Sequence, residues 1–275
     1  MENPHKFTVE QMLAMAKEIR RDIVKMTHAA GSGHPGGSLS AVELMVALYF
    51  SVMRHDPKNP ASPERDFFIL SKGHVTPVFY ATLAEAGYFD KEMLWTFRKF
   101  SSPLQGHPAK DKLPGIEVGT GSLGQGLSIA SGIALATKVN KEDNRVFSLL
   151  GDGETQEGQI WEAIMTAAHY KLDNLTALLD YNNLQIDGVV EEVMGIAPVR
   201  EKWESFNWHV VECDGHDLKD VLRAYDEAVN FKGKPSVIVA KTIKGKGVSY
   251  MENVAGWHGK APNEEELEIA LNELA

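Results

Sequence analysis

The chain is short of four things that would assign a function class early. Among 275 residues there is one cysteine, Cys213, so no internal disulfide can form and a reducing, cytoplasmic setting is expected. No apolar run approaches the roughly 20 residues of a membrane span. The start, MENPHKFTVE, lacks the basic segment and apolar run of a secretion signal. Positive charge is also short: 28 Lys and Arg stand against 38 Asp and Glu, a formal net charge of −10. A nucleic acid or a polybasic membrane contact needs a basic face, so neither is expected as a partner. Phosphorylated substrates remain open, because local Lys, His and backbone N–H groups can override the mean field.

What is present is a pattern of short apolar strands alternating with amphipathic helices. Thr8 to Ala30 reads as a helix with Met12, Met15, Ile19 and Ile23 at helical spacing. GSGHPGGS reads as a loop. Ser40 to Phe50 reads as a helix with Ser40 and Glu43 in the capping-box pattern. DFFILS is a strand. Pro77 to Ala86, Lys91 to Phe100 and Leu123 to Val139 read as helices, with a Pro- and Gly-rich loop from Ser101 to Thr120. RVFSLL, LTALLDY, HVVEC and SVIVAKT read as strands, with helices over Gln159 to Tyr170 and Leu218 to Asn230. An acidic amphipathic helix closes the chain. Continuous apolar strands between helices predict an α/β fold: a doubly wound, mainly parallel sheet with helices on both faces. No linker divides the chain, so one domain over 1–275 is expected.

Ligands of such sheets sit beyond the carboxyl ends of the strands. Three motifs fall there: GDG after VFSLL, DYNNLQIDG after LTALL, and KTIKGKG after SVIVA. Asp152 in GDG offers one hard oxygen, and Asn182 at the next strand end offers a neutral one. Alone, an Asp-Gly after a strand is most often a turn. Together the two resemble the incomplete oxygen set of Mg²⁺, which completes its octahedron with water and phosphate oxygens. The expectation is a metal-bridged diphosphate.

The order and spacing of GSGHPGG, SKGH, QGHP, TGSLGQG, GDGETQEG, DYNNLQIDG, DGHD, KTIKGKG and GWHGKAP resemble transketolases. The resemblance runs from about Ala14 to Pro262 and is to the diphosphate-binding, N-terminal part of that family only. It implies thiamine diphosphate as cofactor, with Asp152, Asn182 and the Leu184 carbonyl as metal ligands. Gly121, Ser122, Leu123, Gly153, His74, Lys244 and His258 would contact the cofactor. His34, His107 and His258 would line the substrate channel. Moving a two-carbon ketol unit from a ketose phosphate to an aldose phosphate creates an oxyanion and takes a proton from a hydroxyl, and imidazoles can serve both needs. Gly37 falls where some relatives carry a hydroxyl near the cofactor.

Other readings accompany these. A single loop histidine is commonly a solvated corner, and Lys244 alone reads equally as a solvated loop lysine. Glu157 and Glu162 match family carboxylates that link active sites across a subunit interface, or simply favour a helix N-terminus. Gly119 to Gly124 also matches the dinucleotide pattern G-x-G-x-x-G, but KLPGIEV before it is a poor strand. The glutamate that activates thiamine lies, in the family, in a pyrimidine-binding domain that nothing here resembles. A separate C-terminal subunit is therefore expected to supply it, with two copies of each chain. Rival functions are another thiamine enzyme subunit, deoxyxylulose-phosphate synthase-like or specialised for another sugar phosphate, and a non-catalytic cofactor-binding subunit.

Overall fold

A computed structural model describes all residues 1–275. Five parallel strands form one sheet: β1 Phe67–Leu70, β2 Val146–Gly151, β3 Leu175–Tyr181, β4 His209–Asp214 and β5 Ser236–Lys241, in the order β1-β2-β3-β5-β4. Side chains alternate across the sheet, as the two-residue period of a strand dictates. Phe147, Leu149, Ile238 and Ala240 face one core, while Val146, Leu150, Val237 and Val239 face the other. That two-sided burial is why the strands are predominantly apolar, and it confirms the doubly wound reading.

The first core is roofed by α1 Val9–Ala30, α2 Pro35–Ser40, α3 Val42–Ala47 and α4 Thr76–Glu85. Helix α1 begins at Thr8, which forms a capping box with Gln11, and ends at Gly31 in the left-handed conformation. The second core lies under α5 Gln125–Val139, α6 Gly158–His169 and the region after β3, where α7 Val190–Met194 and α8 Val199–Ser205 add two short helices the sequence pattern did not predict. Trp203 in α8 is buried against Trp208. Helix α9 Leu218–Asn230 packs with the first core, and α10 Glu264–Glu273 closes against α1. No helix is long and apolar enough to cross a membrane.

Three expectations are corrected. GSGHPGGS is not wholly a loop, since Pro35 opens α2; proline suits the first helical turn, where its missing N–H costs nothing. The helix expected over Ser40 to Phe50 starts instead at Val42 and ends in a π-helical turn, Leu48–Val52. Ser40 and Glu43 do not cap it. The Ser40 hydroxyl donates to Asp180 at 2.5 Å, and Glu43 pairs with Arg20 at 2.7 Å. Lys91 to Phe100 keeps only a 3-10 segment, Lys91–Thr96.

Candidate functional site

Strand register assembles the site. Gly151 pairs with Asp180, and Asp180 with Ala240, so the residues just past β2, β3 and β5 emerge side by side. They surround a cleft of about 370 Å³ lined by Asp152, Gly153, Asn182, Leu184, Lys244, His74, His258, Leu123 and Gly37, among others.

Asp152 is 2% exposed, yet no cationic side chain bonds it. Its Oδ1 accepts from the Gly153 N–H at 2.7 Å and its Oδ2 from the Asn183 N–H. Burial, then the nearby charge of Asp180, pushes its pKa up to about 6. A buried carboxyl so placed gains most from a cation. Asn182 commits its amide nitrogen to Asp180 at 3.1 Å, which leaves its oxygen, now accepting from the Leu184 N–H at 3.1 Å, as the free ligand end. No three His, Cys, Asp or Glu side chains converge on one ion. An ion here would rest on one acid, one amide and oxygens from outside the chain, which suits Mg²⁺ with a diphosphate. The residues therefore fit the group the sequence implied.

Lys244 is buried at the same cleft. Its Nζ donates to the Leu184 carbonyl at 2.9 Å and meets His258 Nδ1 at 2.9 Å. Burial lowers its pKa to about 8. The carbonyl expected to ligate a metal thus already accepts one hydrogen bond, and its second lone pair remains. An ammonium only donates, so His258 Nδ1 accepts and the ring proton is assigned to Nε2.

His34, His74 and His258 pack together, His34 at a steep angle to each of the other two rings and His74 tilted on His258, with ring centroids 4.9 to 5.4 Å apart. Burial is the main force lowering all three: His34 to about 4, His258 to about 3, and His74 well below its usual value. These imidazoles are neutral at pH 7 and can both donate and accept. His34 sits beside the cleft rather than on its wall. His107, also lowered by burial, lies further out against Gly121. A Cβ on Gly121 would stand 2.9 Å from the His107 ring, and its φ of +142° also favours glycine. Ser122 is exposed and does not line the cleft. Glu157 is the residue preceding α6 but its side chain makes no cap bond, and Glu162 is exposed.

Sequence pattern alone missed the support beneath the site. Asp180, fully buried, pairs with Lys72 and accepts from Ser40, Thr242 and Asn182. Glu154, 2% exposed, accepts from Ser71 Oγ at 2.5 Å and from the Gly124 and Gly151 N–H groups at 3.0 and 3.1 Å. An acid at the end of a mostly apolar strand was the available signal for Asp180. The stretch before Gly119 forms no strand, so the dinucleotide pattern lacks its required context.

Residues 11–274 match the family described as "Transketolase, thiamine diphosphate binding domain". The chain is 44% identical to an apulose-4-phosphate transketolase subunit of Actinobacillus succinogenes, over 99% of both chains. It is also 44% identical to a 6-deoxy-6-sulfo-D-fructose transketolase subunit of a Clostridium species, over 94% of both. A crystal structure of Campylobacter jejuni transketolase superposes with a TM-score of 0.92 at 32% identity; it covers 98% of this chain but only 43% of that one. Fold and cleft are thus those of a thiamine diphosphate-binding α/β domain. Within that class, the chain belongs to the transketolase family.

Proposed function

We propose that this chain is the cofactor-binding subunit of a two-chain transketolase, its 275 residues forming one diphosphate-binding domain. It would transfer a two-carbon ketol unit from a ketose phosphate to an aldose phosphate in the cytoplasm. The observation that carries this reading is Asp152, a buried acid with no cationic partner, set beside Asn182 at a cleft. Asp152, Asn182 and the Leu184 carbonyl would hold Mg²⁺, and Lys244, Gly153 and His74 would face the diphosphate. Gly121, Ser122 and Leu123 would lie toward the rest of the cofactor. Thiamine diphosphate supplies the electron sink when bound.

The chain's own residues handle protons. His258, its Nε2–H directed by Lys244, and neutral His34 and His107 would donate to the substrate oxygen that gains charge and accept the proton of the neighbouring hydroxyl. A separate subunit would bring the pyrimidine-binding domain and its glutamate. Support comes from relatives that are named as subunits and match this chain end to end. Those same names favour a transketolase specialised for an uncommon phospho- or sulfo-sugar as the second reading.

Mixing the chain with a candidate partner, thiamine diphosphate, Mg²⁺ and a ketose–aldose pair tests the proposal. Turnover is expected only with both chains. Turnover by this chain alone would refute the need for a partner.

A further inference from the structure

Of the motifs that carry the family pattern, DGHD at residues 214–217 sends no side chain to the cleft. Its histidine is nonetheless spent at both ring nitrogens. His216 Nδ1 stands 3.0 Å from Glu43 Oε2, and the Ile243 N–H meets its Nε2 at 2.8 Å. A backbone N–H only donates, so Nε2 accepts and the ring proton is assigned to Nδ1, facing the carboxylate.

Glu43 is the centre of the arrangement. It is 5% exposed, and the Arg20 guanidinium grips it as a fork, Nη1 to Oε1 at 2.7 Å and Nη2 to Oε2 at 2.8 Å. Burial alone would raise its pKa; the Arg20 charge and the hydrogen bonds from His216 and Arg20 outweigh that and hold the carboxyl below its usual range. The remaining Arg20 nitrogen, Nε, donates to the Lys246 carbonyl at 3.1 Å.

One carboxylate therefore ties down two points of a single turn, the Ile243 N–H through His216 and the Lys246 carbonyl through Arg20. Lys244 lies between them. The rest of its main chain is fixed as well: its carbonyl accepts from the Asn253 N–H at 2.9 Å, and Gly245, at a φ of +80°, donates to the Gly36 carbonyl at 2.9 Å. From that fixed base the Lys244 side chain runs buried to the Leu184 carbonyl and His258. Ordering a four-carbon stem costs rotamer entropy, and a rigid base removes the freedom that a mobile turn would add. A buried ion pair adds little net stability over apolar groups of the same volume, so its clearest contribution here is position.

We infer that His216, Glu43 and Arg20 form a positioning triad that fixes the turn after β5 and, through it, sets the Lys244 ammonium in the cleft. None of the three would touch cofactor or substrate. The consequence for binding rests on the proposed place of Lys244 beside the diphosphate, while the clamp itself is a property of the ligand-free chain.

Two readouts keep the clamp and the function apart. In the full chain alone, acetic anhydride labels lysine amines in competition, with Lys241, 67% exposed, as the internal reference. Lys244 is expected to label slowly in the wild type and about tenfold faster in His216→Asn, whose amide keeps the donor to Glu43 but leaves the Ile243 N–H without its acceptor. His216→Gln, whose amide oxygen reaches the Nε2 position, should restore most of the protection. Arg20→Lys, which keeps a charge beside Glu43 but drops the bond to the Lys246 carbonyl, should free Lys244 by a second route. Tyr225→Phe removes a buried hydroxyl bonded to the Leu44 carbonyl and should label as the wild type does, as the control for lost stability alone. In calorimetry of thiamine diphosphate with Mg²⁺, His216→Asn should weaken binding about tenfold, but less than about twofold in the Lys244→Met background. A residue that only staples the fold would give the same loss in both backgrounds, and Tyr225→Phe would share it. Lys244 labelling that stays at the wild-type rate in His216→Asn or Arg20→Lys, or a tenfold loss that persists without Lys244, overturns the triad. Absence of thiamine diphosphate binding by the wild type would count against the proposed function, and the labelling would still decide this point.

Discussion

Two buried aspartates, Asp66 at the amino end of the sheet and Asp152 at the carboxyl end, are treated differently. At the amino end, Asp66 precedes β1 and its side chain is fully buried. Both oxygens are filled: Arg54 and Arg145 each reach it with guanidinium and backbone N–H groups, at 2.6 to 3.1 Å. At the carboxyl end, Asp152 is nearly as buried but receives only two backbone N–H bonds. The same residue type at similar depth is saturated where the chain needs only stability and left short of charge where it opens on a cleft. Buried charge is tolerated in a fold when paired, and an unpaired one marks a place where something else completes it.

This contrast can be broken by mutation. Asp66→Ala would strand Arg145 and leave Arg54 only its exposed pair with Asp143, and is expected to cost about 3–5 kcal/mol in denaturant unfolding. Asp152→Asn removes a charge that burial disfavours but turns an NH2 onto one of the two backbone N–H donors, so the ligand-free chain should lose only about 1 kcal/mol. If Asp152→Asn destabilised the chain as much as Asp66→Ala, the two ends would not differ as argued.

A smaller effect comes from pH. His55, close to Asp66, donates from Nε2 to the Tyr49 carbonyl at 2.8 Å and accepts at Nδ1 from the Tyr88 hydroxyl at 3.0 Å. Burial lowers its pKa to about 4, and that of His34 on the cleft side to about 4 as well. Both are lower folded than unfolded, so the unfolded chain binds protons first as pH falls. Their contribution is whole above about pH 6.5 and is lost progressively toward pH 4, at up to about 1.4 kcal/mol per pH unit for each group. Stability measured across that window should show the slope, and His55→Gln should remove about one proton from it. An unchanged slope would mean His55 is not held neutral.

The sheet was legible because its strands are apolar on both faces and bounded by polar motifs, so β2, β3 and β5 lie within a residue or two of their expected bounds. Asp152, Asn182 and Lys244 were legible because each closes such a strand, and the histidines because they recur beside glycine in the family's order. What stayed hidden depends on distant pairing. Lys72 and Asp180 are 108 positions apart, and nothing local in SKGH marks its lysine as the counter-ion of a strand end. Ser40 and Glu43 misled for the same reason: a local capping pattern lost to partners in β3, α1 and the loop after β4.

The central claim is that Asp152 is completed by a metal-bound diphosphate. Calorimetry of thiamine diphosphate binding, with Mg²⁺ or with chelator, tests it directly in the wild type and in Asp152→Ala. Binding by the wild type is expected only when Mg²⁺ is present, with a loss of about a hundredfold or more in Asp152→Ala. Equal affinity in the two proteins, or binding indifferent to the chelator, would contradict it.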